Sequence, residues 1–430
     1  DKVAMFAENS YRWALLDAAV LKCGAANVVR GAGAPLGELE FIFEDSESSV
    51  LVVETLPLLQ ALAQRTSLLS GPNKPRVVVV MFSGGTPAGQ IRSMCGLEGS
   101  EVEVVRQVDM TSWEAPFSPV QVSGSDAATV LYTSGTTGRP KGVVLTHGNL
   151  LHQIQSNAFT HDRPDEPAPG DTQLCILPCW HIFERMAEYF ALARGTKLVY
   201  SSIRTFKKDL VKWSPTCIVA VPRLYENLYD GVQAKLSAGG PLQKALVSFF
   251  STVGMAVLGA RRHVQNRAVI PPAQAHAYMQ RSWVEAGLQW CGAWAVLLAL
   301  APLNKAADLL VWRKVRAALG GRVKCLISGG SKLPLHLDDF YELAGLQLIV
   351  GYGLTETSPV IANRLIENNV PGSVGVPPKA TEISIRDVET GEEVGRAGGR
   401  LTAAHSSGDV GVVWARGPQV TAGDYKRPEA

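Results

Sequence analysis

The chain has 430 residues, 46% of them hydrophobic and 19% charged, which supports a large core and excludes a mainly disordered protein. The formal net charge of +2, from 41 basic and 39 acidic residues, gives no reason to expect a nucleic-acid partner. The 7 cysteines are an odd number without framework spacing, which excludes a disulfide scaffold and fits a reducing compartment.

The chain opens on Asp1, not Met, and DKVAMFAENSYRW leads at once from strand into helix. The expectation is a chain that begins mid-protein, with any targeting segment outside it. Apolar runs at 3–7, 26–29, 50–54 and 76–82 predict strands, separated by helical patterns near 10–24 and over 56–64. The same alternation returns at 173–177, 181–193, 197–200 and 216–221, with a helix after Pro222. Strands that are apolar throughout and separated by helices are buried on both faces. The expected fold is therefore α/β: doubly wound, mostly parallel sheets in two stacked subdomains, followed by a small β-rich subdomain. Residues 1–370 form the large α/β region and 371–430 the β-rich part, where short strands and Gly-rich turns take over.

Residues 286–304 carry no formal charge for nineteen positions, and 245–260 none for sixteen. A nineteen-residue helix is about 28 Å long, close to the thickness of a bilayer core. Gln289, Gly292, Pro302 and Asn304 weigh against a true span, whereas the arginines at 261, 262, 267 and 281 and the tryptophans at 283, 290 and 294 suit a membrane interface. Peripheral contact through 241–305 is the favoured expectation, with buried core helices and a real span as the alternatives. Cys175, Cys179 and His181 put three possible zinc ligands within seven residues, but no fourth has suitable spacing, so zinc is not favoured there.

The string TSGTTGRPKG at 133–142 is an anion cradle. Thr133, Ser134, Thr136 and Thr137 offer hydroxyls, Gly135 and Gly138 let backbone N–H groups approach, and Arg139 and Lys141 add positive charge. It differs from the common nucleotide loop because Lys141 leads into a strand over 143–146, with a helix only near Asn149. In 322–353, two glycine-bearing loops follow the carboxyl ends of successive strands of one βαβ unit, where open sheets bind ligands.

With GYGLTETSP at 351–359 following it, TSGTTGRPKG resembles the paired signatures of the acyl-adenylate-forming enzymes. LPCWHIFER at 177–185, KCLISGGSKL at 324–333, PGSVGVP at 371–377 and RGPQV at 416–420 narrow the resemblance to long-chain fatty acyl-CoA synthetases. The middle region 225–320 is also similar to the plastid acyl-acyl-carrier-protein synthetase branch.

The resemblance implies ATP and Mg2+ as cofactors, a fatty acid as substrate, and coenzyme A or acyl-carrier protein as acceptor. It implies a membrane-associated intracellular enzyme, plastid in that branch, with a cytoplasmic location as the alternative. Thr133 to Gly138 with Lys141 would hold the β- and γ-phosphates, Thr355 would contact the α-phosphate, and Glu356 would ligate Mg2+. Tyr352 and Gly353, with Gly329, Gly330 and Ser331, would face adenine. His181 would lie near the acyl carboxylate, with Trp180 a candidate wall of the acyl channel; a capping or core role for His181 and core filling by Tyr352 remain open. The family's ribose-binding Asp and mobile C-terminal domain with its catalytic Lys would fall beyond Ala430. Residues 1–430 alone are therefore expected to bind ATP but turn over poorly, and a non-catalytic nucleotide- or lipid-binding derivative is the alternative. An enzyme for aryl or amino acids is disfavoured by WHIFER and the apolar middle.

Overall fold

The computed structural model describes residues 1–110, 120–133, 139–155, 166–267, 282–397 and 410–427. Strands β1 (Lys2–Phe6), β2 (Ala26–Arg30), β3 (Val50–Thr55), β4 (Val77–Phe82), β5 (Glu103–Arg106), β6 (Ala127–Thr133) and β7 (Lys141–Thr146) build a seven-stranded sheet in the order β5-β4-β3-β1-β2-β6-β7. All its pairings are parallel except β6 with β7, the two strands joined by the candidate phosphate loop. A second, six-stranded sheet runs β13-β12-β11-β10-β8-β9, from β8 (Thr172–Cys175), β9 (Lys197–Tyr200), β10 (Cys217–Ala220), β11 (Cys325–Ser328), β12 (Leu348–Gly353) and β13 (Val360–Asn363). Only its β12–β13 pairing is antiparallel.

The order of the strands places the helices. In the first sheet the chain steps from β1 to β2 through α1 (Tyr11–Lys22), then reverses past β1 to β3 through α2 (Leu36–Asp45) and onward through α3 (Leu56–Arg65) and α4 (Ala88–Met94). Right-handed crossovers in opposite directions put α1 on one face and α2 to α4 on the other. A short α5 (Gln107–Met110) follows β5, and α6 (His147–Gln155) follows β7. The second sheet repeats the reversal: α7 (Ile182–Ala193) joins β8 to β9, whereas α8 (Phe206–Trp213) leads back past β8 to β10.

The packing confirms the layers. Val3 and Met5 of β1 share a core with Leu16 of α1, Met186 of α7 and Ile327 of β11, so α1 and α7 lie between the two sheets. Ala4 and Phe6, alternating with them along β1, face α2 and α3 instead. On the far face of the second sheet a third core gathers α8, α9 (Pro222–Ser237), α10 (Pro241–Val264), α12 (Arg313–Ala318) and α13 (Leu335–Leu343).

Where α1 meets α7, Arg185 is fully buried against Asp17. Its Nη1 donates to Thr129 Oγ1 of β6 at 2.8 Å and its Nε to Tyr189 Oη at 2.7 Å. Asn27 of β2 donates to Asp17 Oδ1 at 2.6 Å. Burial opposes the charge of Arg185, but Asp17 and Tyr189 outweigh it and hold the guanidinium firmly protonated.

α10 and α11 (Trp283–Ala307) pack on each other as a hairpin outside this frame. α10 buries Phe250, Val253, Val257 and Leu258, but α11 buries only Ala293 and Ala307. Leu288 and Leu298 are 69% and 71% exposed and Trp283 is 86% exposed. The expected alternative of buried core helices therefore does not hold for α11. Both helices are long and apolar enough to cross a membrane.

After Pro371 the strands β14 (Glu382–Arg386), β15 (Glu393–Ala397) and β16 (Val412–Arg416) form a separate antiparallel sheet in the order β15-β14-β16.

Replacing Arg185 by Met strands the buried Asp17 carboxylate and is expected to cost about 3–5 kcal/mol, whereas Trp414→Ala on exposed β16 stays within about 0.5 kcal/mol. Denaturant unfolding with matched slopes checks both; an Arg185→Met variant as stable as the parent would remove the pair from its role in holding the sheets.

Candidate functional site

A cavity of about 390 Å3 opens at the carboxyl ends of β6, β11 and β12. Of the residues singled out in the sequence, Thr133, His181, Gly329, Gly330, Tyr352, Gly353, Thr355 and Glu356 all line it. Strands from two different sheets thus deliver their ends to one space, as open α/β sheets do at a ligand crevice. Lys141 stands directly opposite Thr133 in the β6–β7 register, at the foot of the loop. Ser134, Gly135, Thr136, Thr137 and Gly138 lie outside the described residues. Ser331 is exposed and not part of the cavity lining.

The turn that carries Thr355 and Glu356 is built by close backbone contact. A Cβ on Gly353 would lie 1.7 Å from the Pro359 carbonyl oxygen, so only glycine fits where β12 meets the returning chain. Leu354 N–H donates both to Pro359 O at 3.0 Å and to Thr357 Oγ1 at 3.0 Å. Residues 355–357 then make a single 3-10 turn that points Glu356 into the cavity. Among the described residues the Glu356 carboxylate has no hydrogen bond or ion pair within the protein, and it is half-buried. A partly desolvated, unengaged carboxylate beside a phosphate loop is the donor a hard cation such as Mg2+ takes.

Residues that the sequence reading passed over fasten this turn from behind. Thr421 N–H donates to Glu356 O at 2.8 Å, and Ser358 Oγ donates to Gln419 O at 2.9 Å. Asn149 Nδ2 of α6 donates to Pro418 O at 2.7 Å. Gln153, one turn on, receives Val360 N–H at 3.0 Å and donates to Val360 O at 3.2 Å. The string RGPQV therefore buttresses the Thr355–Glu356 turn, and α6 ties it to β7, the strand that precedes this helix. The signal was present as two amides four residues apart on one helix face. α6 begins at His147, earlier than expected, because Thr146 and Asn149 cap one another: Asn149 N–H donates to Thr146 Oγ1 at 3.1 Å, and Thr146 N–H to Asn149 Oδ1 at 2.9 Å.

His181 is the N-cap residue of α7 and opens on the cavity from the opposite wall. The surrounding protein and then the nearby Arg30 push its imidazole below the ordinary range. Trp180 does not line the cavity. Its Nε1 donates to Glu8 Oε2 at 3.2 Å, Arg30 lies 4.8 Å over its ring, and a Cβ on Gly31 would meet it at 2.6 Å. Asn9 fixes the loop before α7 by accepting from Cys179 N–H at 2.8 Å and donating to Leu177 O at 2.5 Å. The three residues once considered for zinc separate: His181 faces the cavity, whereas Cys175 and Cys179 are buried.

Two open sheets that bring Thr133, a glycine-lined wall and a carboxylate unengaged among the described residues to one cavity define an α/β ligand-binding fold. The chain belongs to the AMP-binding enzyme family, whose model matches residues 1–425. Among curated relatives it is 37% identical to the probable acyl-activating enzyme 16, chloroplastic, of Arabidopsis thaliana, covering 100% of this chain and 57% of that protein. It is 36% identical to the long-chain-fatty-acid–[acyl-carrier-protein] ligase AEE15, chloroplastic, of the same plant, covering 100% and 56%. The long-chain-fatty-acid–CoA ligase FadD15 of Mycobacterium bovis is 30% identical over 90% of this chain and 57% of its own length. The chain thus spans a little over half the length of these relatives. Among solved structures, ATP-bound MatB from Rhodopseudomonas palustris shares the fold with a TM-score of 0.59 at 20% identity, over 100% of this chain and 62% of that one. The N-terminal domain of FACL13 from Mycobacterium tuberculosis does so at 0.61 and 19%, over 100% and 79%.

Proposed function

We propose that this chain supplies the nucleotide- and acyl-binding part of an enzyme that activates long-chain fatty acids with ATP through an acyl-adenylate, then forms a thioester with coenzyme A or acyl-carrier protein. The observation that carries the reading is the convergence of Thr133, Thr355, Glu356 and His181 on one cavity. The names of relatives 30–37% identical support the substrate class. The unengaged Glu356 turn argues for a working site over a non-catalytic derivative.

In this reading Lys141 and the loop hydroxyls bind the β- and γ-phosphates, and Thr355 steadies the α-phosphate. The fatty-acid carboxylate attacks the α-phosphorus and pyrophosphate departs along the loop side. The charge that develops there calls for fixed donors and cations. Mg2+ held by Glu356 would neutralise phosphate charge when bound. Tyr352 presents a ring for adenine beside Gly329 and Gly330, and His181 meets the carboxylate. Trp180, anchored to Glu8 and Arg30, positions the loop before α7 and not the cavity wall itself.

The α10–α11 hairpin is the proposed membrane contact, because an exposed helix that is apolar around its circumference suits lipid and not water. A plastid location rests on two relatives described as chloroplastic.

Long-chain-fatty-acid-dependent ATP–pyrophosphate exchange, measured on the longest form of the protein containing this chain, should fall about 10²–10³-fold in Lys141→Ala; full exchange by that variant would remove Lys141 from the phosphate site. Replacing Leu288, Trp290 and Leu298 together by Gln should abolish co-sedimentation with liposomes while exchange on a soluble short-chain acid persists. Unchanged sedimentation would place lipid contact elsewhere.

A further inference from the structure

Cys175 at the end of β8 meets Glu184 and Glu188 of α7, which are one helical turn apart. The Cys175 Sγ and one carboxylate oxygen of each glutamate lie within 4.8 Å of one another, and all three residues are buried, at 0%, 0% and 2% exposure. Burying two carboxylates beside a thiol is costly unless something positive or hydrogen-bonding lies among them. No ion pair among the described residues includes either glutamate, and the intervening Arg185 is turned the other way, onto Asp17.

The hydrogen bonds do not account for the cluster. Glu188 Oε2 accepts from Tyr200 Oη at 2.9 Å, but Glu188 Oε1 and both oxygens of Glu184 are buried without a partner. A proton shared between the carboxyls would engage two of those three oxygens. The third would be left to the Cys175 thiol, a weak donor whose S–H stays free because its sulfur only accepts from Gln173 Nε2, at 3.8 Å, and to the nearby backbone of Leu177. One cation among them would engage the sulfur and an oxygen of each carboxylate together.

We propose that Cys175, Glu184 and Glu188 ligate a single divalent cation of borderline softness, zinc, as a structural site. The thiolate disfavours Mg2+ and Ca2+, and the two carboxylates disfavour a purely soft ion such as Cu(I). The two free oxygens of Glu184 allow it to bind through both and complete four donors with Cys175 and Glu188. Tyr200 and Gln173 then serve as the outer partners that orient Glu188 and Cys175. The bound ion would pin β8 to α7, the helix whose first residues carry His181 into the cavity and whose middle carries Arg185 between the sheets.

The test is the metal content of the folded protein, expressed with added zinc and dialysed against a weak chelator. Elemental analysis should find about one zinc per chain, with Cys175→Ser and Glu184→Gln each reduced to about a tenth of that. Cobalt substitution should give a thiolate-to-metal charge-transfer band that Cys175→Ser loses and Cys217→Ser, a control at a neighbouring buried thiol, retains. A folded parent protein with under about 0.1 zinc per chain and no cobalt band would overturn the proposal in favour of a proton-sharing carboxyl pair. So would folded ligand variants with undiminished zinc. If either variant fails to fold, the parent's metal content and cobalt spectrum decide alone.

Discussion

The buried pair of Arg185 and Asp17 is the contact on which the geometry of the molecule depends. Each large sheet sends one crossover helix inward, and these two helices meet through a charge pair that water does not reach. Through Thr129 the same guanidinium also grips β6, the strand that ends in the phosphate loop. One side chain therefore sets the spacing between His181, at the start of its own helix, and Thr133, at the end of β6. A buried ion pair is weak evidence for stability in itself, because desolvation offsets much of the attraction. Its directional hydrogen bonds to Asp17, Thr129 and Tyr189 give it a clearer role in fixing one arrangement of the two sheets.

The second constraint is local. The Thr355–Glu356 turn exists because Gly353 lets the backbone fold against Pro359, and it stays in place because Asn149, Gln153, Gln419 and Thr421 occupy its rear. Among the described residues the Glu356 carboxylate has no partner, so it is available to a ligand without first breaking a bond to any of them. The α/β frame supplies rigidity and the turn supplies the open valence, and in the proposed function Lys141 at the foot of the β6–β7 loop adds charge for a triphosphate.

Much of this was legible in the amino-acid order. Apolar runs such as Val77–Phe82 announce strands buried on both faces, and TSGTTGRPKG with GYGLTETSP announces the family to which the chain belongs. Strand order was not legible, because the reversal past β1 and past β8 depends on where later strands find room. Arg185 and Asp17 were hidden for a different reason. Charges on a helix ordinarily face water, and nothing in WHIFER shows that Glu184, Arg185 and Glu188 all turn inward. RGPQV at 416–420 was legible as a family marker, but its fastening role was not, because that work is done largely by backbone groups, which sequence does not distinguish. Trp180 stands next to His181 but does not line this cavity, because its ring is held by Glu8 and Arg30. The apolar middle was recognised, but only the fold shows that α11 leaves its leucines and tryptophans uncovered.

The central claim is that a carboxylate attacks the α-phosphorus of ATP in this cavity. It is tested most directly by supplying a long-chain fatty acid labelled with 18O in its carboxylate and analysing the nucleotide product by mass spectrometry. The account predicts AMP carrying one 18O atom, and unlabelled pyrophosphate. ADP as the product, or AMP without the label, would contradict it.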